Sequence, residues 1–169
     1  IIEYGKLVLA SGAKCTEAPL TGDGLSRVYS VNNLLDYTRF RTSLVGKKKI
    51  LIIGAGLIGS EYANDMIQSS FMIEVVEPMP SVLGTLLPEE ASLAVQESLE
   101  QAGVQYHFGT VVEKVDKSGN GIKATLANGT VIEADAVLSA IGVRPDLKLA
   151  SLTKLDTNRG ILTDRSLQT

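Results

Sequence analysis

The stretch KKKILIIGAGLIGSEYANDM (Lys47–Met66) decides the fold of this chain. Its apolar run KILIIG has strand length, three glycines interrupt it, and LIGSEYANDMIQSS then places Ile58, Tyr62 and Met66 on one helical face. Gly54, Gly56 and Gly59 have the spacing G-x-G-x-x-G. That spacing carries little weight alone, but a strand before it and a helix after it give each glycine a mechanical role. Gly54 permits a tight turn, Gly56 lets backbone approach a pyrophosphate, and Gly59 lets helix and strand pack closely. The free amides of Leu57, Ile58 and Gly59 at the helix start, with the helix dipole, suit an anion without a basic side chain.

The next strand, FMIEVVE, supplies the acidic member of a dinucleotide fingerprint. Glu77 lies 23 positions after Gly54, close to the roughly 20 expected of a ribose-binding carboxylate. Such a group accepts hydrogen bonds from ribose hydroxyls and repels a 2′-phosphate, and no Lys or Arg stands between Pro78 and Pro88 to receive one. The expected ligand is therefore NAD, with NADH preferred over NADPH. The competing reading of Glu77 is an exposed residue at a strand end. Glu74 is a poorer candidate because it lies mid-strand.

Working outward, Asn32 or Asn33 can cap a helix carrying Tyr37, Phe40 and Leu44, with Gly46 just past its end. A further helix starts near Pro88, with Glu89 and Glu90 at its positive end, and runs to Gly103 before the strand VQYHF. KLVLASGA (Lys6–Ala13) reads as a short buried strand. After VQYHF the pattern changes: TVVEKVDK, GIKATLA and TVIEADAV are strand-like runs, separated by SGN and by Asn128–Gly129, a hairpin signal. The final buried strand is AVLSAIG. The expected fold is α/β: a Rossmann-like parallel sheet with crossover helices and an inserted antiparallel β-meander.

Composition removes other classes. Sixteen Lys and Arg against 19 Asp and Glu, and 44% hydrophobic residues, describe a globular chain with no basic footprint for nucleic acid. No stretch is long and apolar enough for a membrane span. The single cysteine, Cys15, excludes an intrachain disulfide and is compatible with a cytoplasmic setting. His107, the only histidine, reads as a strand side chain without chemistry. No cluster has metal-ligand spacing, and no pair of groups offers acid–base catalysis, so neither metal nor catalytic residues are assigned. Hydride transfer needs none, because the cofactor carries that chemistry.

Taken in order, KLVLASGA, ILIIGAGLIGSEYANDM, IEVVE and VLSAIGVRPD resemble the FAD-dependent pyridine nucleotide-disulfide oxidoreductase superfamily, the flavoprotein reductases with two dinucleotide folds. VNNLLDYTRFR, GAGLIGSEYANDM and NRGILTDRSLQT resemble most its rubredoxin–NAD reductase branch. The resemblance implies an NAD-binding domain at 31–143, flanked by 1–30 and 144–169 as parts of a truncated FAD domain. It implies hydride transfer from NADH to FAD, and electrons leaving to rubredoxin or a similar iron protein. It also implies that Gly142 lets backbone pass the bound dinucleotide, and that Glu61 lies near the nicotinamide or faces the domain seam. No FAD fingerprint stands upstream, the chain starts at Ile1 rather than Met, and it stops in ILTDRSLQT. The expectation is a piece of something longer that binds NADH without turnover, does not hold FAD, and self-associates through uncovered apolar faces. A non-catalytic NAD-sensing module, or a fragment of an NADH oxidase or nitrite-reductase-type flavoenzyme, stands as the alternative.

Overall fold

Five parallel strands form the central layer in the computed structural model, which describes residues 2–169. In chain order the elements begin with β1 (Ala13–Cys15), β2 (Val28–Tyr29), α1 (Leu34–Ser43), β3 (Lys49–Ile53) and α2 (Leu57–Gln68). They continue with β4 (Met72–Glu77), α3 (Glu89–Gln101), β5 (Gln105–Phe108), β6 (Val112–Ser118) and β7 (Gly121–Leu126). The last are β8 (Val131–Ala134), β9 (Ala136–Ser139), β10 (Val143–Pro145) and α4 (Lys148–Leu152). The parallel sheet runs β2-β9-β3-β4-β5, and the meander is a separate antiparallel sheet, β6-β7-β8. The Rossmann-like architecture read from the sequence is the one observed.

Two packed units divide the chain. Cys15–Gly142 forms one, a wider span than the 31–143 read from the sequence, and residues up to Lys14 with Val143–Thr169 form the other. Residues 15–30 fall in the first unit, where β2 adds to the sheet with Val28 beside Val137 and Tyr29 beside Leu138. In the second, the Asp146 amide donates to the Gly12 carbonyl at 2.9 Å, and Ser11 Oγ donates to the Asp146 carbonyl at 2.7 Å.

One reading fails here. Lys6–Ala10 forms no strand, and Leu7 and Val8 are 62% and 84% exposed. An apolar run becomes a strand only where a neighbour pairs its backbone and covers its side chains, and no described residue does so here.

Period-2 alternation sends β3 and β4 side chains to both faces of the sheet, and each face builds its own core. On the helix side, Ile50, Ile52, Ile73 and Val75 pack with Phe40, Ala63, Met66 and Leu99. On the other, Leu51, Ile53, Val76 and Val137 pack with Val115, Ile122, Leu126 and Ile132 of the meander. The meander thus covers the face that crossover helices leave bare. Helix α2 differs in detail from its sequence reading. Its buried positions are Gly59, Ser60, Ala63 and Met66, while Ile58 is exposed. The close approach of helix to strand at Gly59 sets that rotation.

Helix α1 starts where expected. Asn33 Oδ1 accepts from the Leu35 and Asp36 amides at 2.9 and 3.0 Å, and Gly46 beyond the helix takes φ +72°. Pro88 is the N-cap of α3 rather than its first helical residue. The meander is tied down by polar groups. Arg27 donates to the Gly119 and Gly121 carbonyls at the β6–β7 turn, and Lys47 Nζ donates to the Asn120 carbonyl at 2.7 Å.

Asp135, between β8 and β9, accepts from the Lys48 and Lys49 amides at 2.8 and 2.9 Å and so fixes the start of β3. Burial pushes its carboxyl up, but those amides and the Lys47 and Lys49 charges outweigh it and leave it below its ordinary value. A group depressed in the folded chain stabilises fully above its unfolded value, about 4, and that contribution disappears as pH falls through the folded value. The gap in melting temperature between parent and Asp135→Asn should therefore be widest near neutral pH and narrow below about pH 4. A gap that stays constant across a pH series of melts would remove the carboxylate from this role.

Candidate dinucleotide site

Parallel sheets offer ligands the crevice outside the carboxyl ends of their strands, at the point where strand order reverses. Here the chain runs β3 to β4 to β5 in one direction, and β9 then joins on the opposite side of β3. The reversal lies between β3 and β9, and the glycine loop leaves β3 at that point.

The three glycines are distinguished by what a side chain would meet. Gly54 has φ +102°, and a Cβ there would lie 2.8 Å from the Ala140 carbonyl oxygen at the end of β9. A Cβ on Gly59 would lie 2.0 Å from the Gly54 carbonyl oxygen, so only hydrogen fits between α2 and the loop. A Cβ on Gly56 would meet nothing within 4 Å, which leaves open space in front of that backbone. No side chain caps α2, whose N-cap is Gly56. Among the described residues, the Leu57, Ile58 and Gly59 amides have no protein acceptor. These groups fit an anion of pyrophosphate type: donors, a helix dipole and room.

Glu77 stands beside this loop at the end of β4. Its Oε2 accepts the Ala55 amide at 2.6 Å, and its Oε1 accepts the Met79 amide at 2.9 Å. An ionised carboxylate has about four acceptor positions. Two are used, and two are left for hydroxyl donors. No Lys or Arg occurs from Ile50 to Glu113, and among the described residues Glu77 forms no ion pair. Glu74, by contrast, turns to the far face and sits 2.8 Å from His107 Nε2 across β4 and β5. That pair accounts for the lone histidine and removes Glu74 from the loop.

Apolar walls near these groups were missed in the sequence. A cleft of about 570 Å³ is lined by Ile53, Val76, Pro78, Val111 and Ile141. Four of these, all but Val111, are chain neighbours of Gly54, Glu77 or Gly142. The signal was available in those adjacencies, but only the topology brings Val111 alongside. Gly142 takes φ +98° and its carbonyl accepts the Thr16 amide at 2.9 Å. Glu61 is exposed and lines a different groove, of about 460 Å³, between α2 and α3. Leu57 borders that groove too, and neither residue lines the cleft holding Ile53 and Pro78. Among the described residues no group of three or more His, Cys, Asp and Glu is placed to hold a metal, and no helix is long and apolar enough to cross a membrane.

A Gly59→Ala substitution forces backbone apart and should cost about 3 kcal/mol of stability, whereas Gly56→Ala should cost less than about 1 kcal/mol. Urea unfolding of both variants checks the contrast. Equal losses would mean that the crowding at Gly59 is relieved elsewhere.

Comparison with known proteins places this geometry. A family model described as pyridine nucleotide-disulphide oxidoreductase matches residues 1–169. A rubredoxin-NAD(+) reductase of Alcanivorax borkumensis is 51% identical over 169 residues, covering 99% of this chain and 44% of that protein. A nitric oxide reductase FlRd-NAD(+) reductase of Aliivibrio fischeri is 36% identical over 166 residues, covering 98% of this chain and 44% of that protein. Among solved structures, a ferredoxin reductase from Rhodopseudomonas palustris superposes with a TM-score of 0.89 at 30% identity, covering 98% of this chain and 41% of that one. The chain spans less than half the length of the curated relatives it matches.

Proposed function

The chain belongs to the pyridine nucleotide-disulphide oxidoreductase family, and from that premise we propose that it is the NADH-binding portion of a flavoprotein reductase serving a rubredoxin-like iron protein. The observation that carries this reading is the pairing of three acceptor-free amides at the start of α2 with the half-used carboxylate of Glu77. In the whole enzyme NADH and FAD would supply hydride transfer, with single electrons passed on to the iron protein, while the 169-residue chain alone would bind NADH without turnover. Every other task falls to binding and orientation by this chain.

Leu57, Ile58 and Gly59 present their amides to the pyrophosphate, and the open space at Gly56 lets it come close. Glu77 receives the hydroxyls of the adenosine ribose on its free acceptor positions and disfavours a phosphate at the 2′ oxygen. The absence of Lys and Arg from Ile50 to Glu113 supports the same preference for NADH. The cleft of Ile53, Val76, Pro78, Val111 and Ile141 gives a flat ring an apolar bed beside these polar contacts. Gly142, in the loop that follows the strand β9 flanking β3, keeps side-chain bulk away from the path of the dinucleotide. Glu61, exposed on α2, serves at the nicotinamide end or on the surface that α2 presents to the flavin. FAD is not held by this chain, whose one glycine fingerprint is assigned to NADH.

The test is calorimetric titration of the 169-residue chain with NADH, NADPH and FAD. Preferential binding of NADH is expected. Replacing Glu77 by Arg should weaken NADH at least about tenfold, the loss expected of hydrogen bonds to a charged group, and narrow the gap to NADPH. Unchanged NADH affinity in that variant would exclude Glu77 as the ribose ligand. Tight FAD binding that NADH cannot displace would assign the glycine loop to the other nucleotide.

A further inference from the structure

Ala55, between the first two glycines, is 1% exposed, and both of its backbone polar groups are held. Its amide donates to Glu77 Oε2 at 2.6 Å. Its carbonyl accepts twice, from the Leu83 amide at 2.8 Å and from Ser60 Oγ at 3.2 Å. A trans peptide is planar, so its C=O and N–H point in opposite directions. Drawing the Ala55 carbonyl inward therefore aims the Gly56 amide outward. There it meets no protein acceptor among the described residues, in the space where a Gly56 Cβ would touch nothing.

This peptide needs an external grip. Flipping the plane between residues 55 and 56 changes ψ of the first and φ of the second, and glycine accepts φ of either sign. Gly56 has φ −72°, and nothing intrinsic to glycine holds it there. Leu83 bears a cost to supply one half of the grip, since it adopts φ +54°, a left-handed conformation that a leucine rarely takes. The turn that carries it is anchored: Val82 is fully buried and its carbonyl accepts from Ser92 Oγ on α3. Ser60, 8% exposed, supplies the other half by bonding back beyond the usual helical partner.

We propose that Ser60 and Leu83 are positioning residues for the phosphates of the dinucleotide. Together they lock the Ala55–Gly56 peptide so that the Gly56 amide joins those of Leu57, Ile58 and Gly59 in facing the pyrophosphate. Neither side chain touches the ligand; both act through the Ala55 carbonyl. The proposal rests on the reading of the glycine loop as the NADH site and adds the device that sets its amide geometry.

The test compares NADH, which carries a pyrophosphate, with adenosine, which carries none, by NMR titration of the parent chain and three variants. Ser60→Ala removes one donor to Ala55. Leu83→Pro removes the other and cannot take positive φ, whereas Leu83→Gly keeps the amide and takes positive φ freely. Ser60→Ala and Leu83→Pro should weaken NADH by about five- to tenfold, the worth of one hydrogen bond, and leave adenosine unchanged. Leu83→Gly should retain the parent's ratio of NADH to adenosine affinity. Equal losses for both ligands, or no loss for NADH in Ser60→Ala, would overturn the positioning role. If Leu83→Pro does not fold, Ser60→Ala decides alone. Failure of the parent chain to bind NADH would instead refute the site reading on which the proposal stands.

Discussion

The approach of α2 to the end of β3 governs this site. Where they meet, Gly59 faces the Gly54 carbonyl with room for a hydrogen and nothing larger. Gly54 in turn lies against the Ala140 carbonyl, so the ends of β3 and β9 close on each other at the same place. Two glycines thus pay for a tight junction of helix, strand and neighbouring strand. The third, Gly56, leaves open the space in front of that junction. The constraint reaches into the rest of α2, whose buried face is centred on Gly59, Ala63 and Met66 because the helix can sit this close on no other side.

A sheet packed so tightly on its helix face has to be covered on the other. In Leu51, Ile53, Val76 and Val137 it presents a second apolar surface, and the meander lies over it. Coverage by strands rather than helices needs fixed register, because a slip of one residue would turn Val115, Ile122 and Ile132 outward. The polar ties supply that register at defined points. Arg27 and Lys47 hold the carbonyls of the β6–β7 turn, and Asp135 binds the amides where β3 begins. The strand that carries the glycine loop is therefore fixed at its entrance by a carboxylate and at its exit by glycines.

Much of this was legible in the sequence because it depends on local pattern. Apolar runs of strand length, the Asn33 cap, the Asn-Gly turn and G-x-G-x-x-G each encode a conformation within a few residues. What stayed hidden depends on contacts between distant segments. Lys6–Ala10 has the composition of a strand, yet composition says nothing of whether a neighbour will pair with it. The two-residue strand β2 is too short to show any period. Val111 contributes to the cleft only because β6 begins beside β4 and the end of β9. Leu83 was invisible for another reason: its contribution is a backbone amide in a left-handed conformation, which leaves no trace in side-chain type.

Glu77 shows how one residue couples two properties that a motif treats as separate. On the proposed reading it selects the nucleotide through its free acceptor positions. In the folded chain its Oε2 already restrains the Ala55 amide, the neighbour of the peptide that Ser60 and Leu83 hold. Selectivity and loop geometry then share a single carboxylate. A cation at position 77 would attract a 2′-phosphate but leave the Ala55 amide without its acceptor, buried and unpaired. The cost of an unpaired buried amide is about 1–3 kcal/mol, comparable to the gain from one new charged hydrogen bond. Changing the preferred cofactor by this residue alone therefore loosens the loop that binds either one. A second acceptor for Ala55, from the turn that already carries Leu83, is what such a change would require.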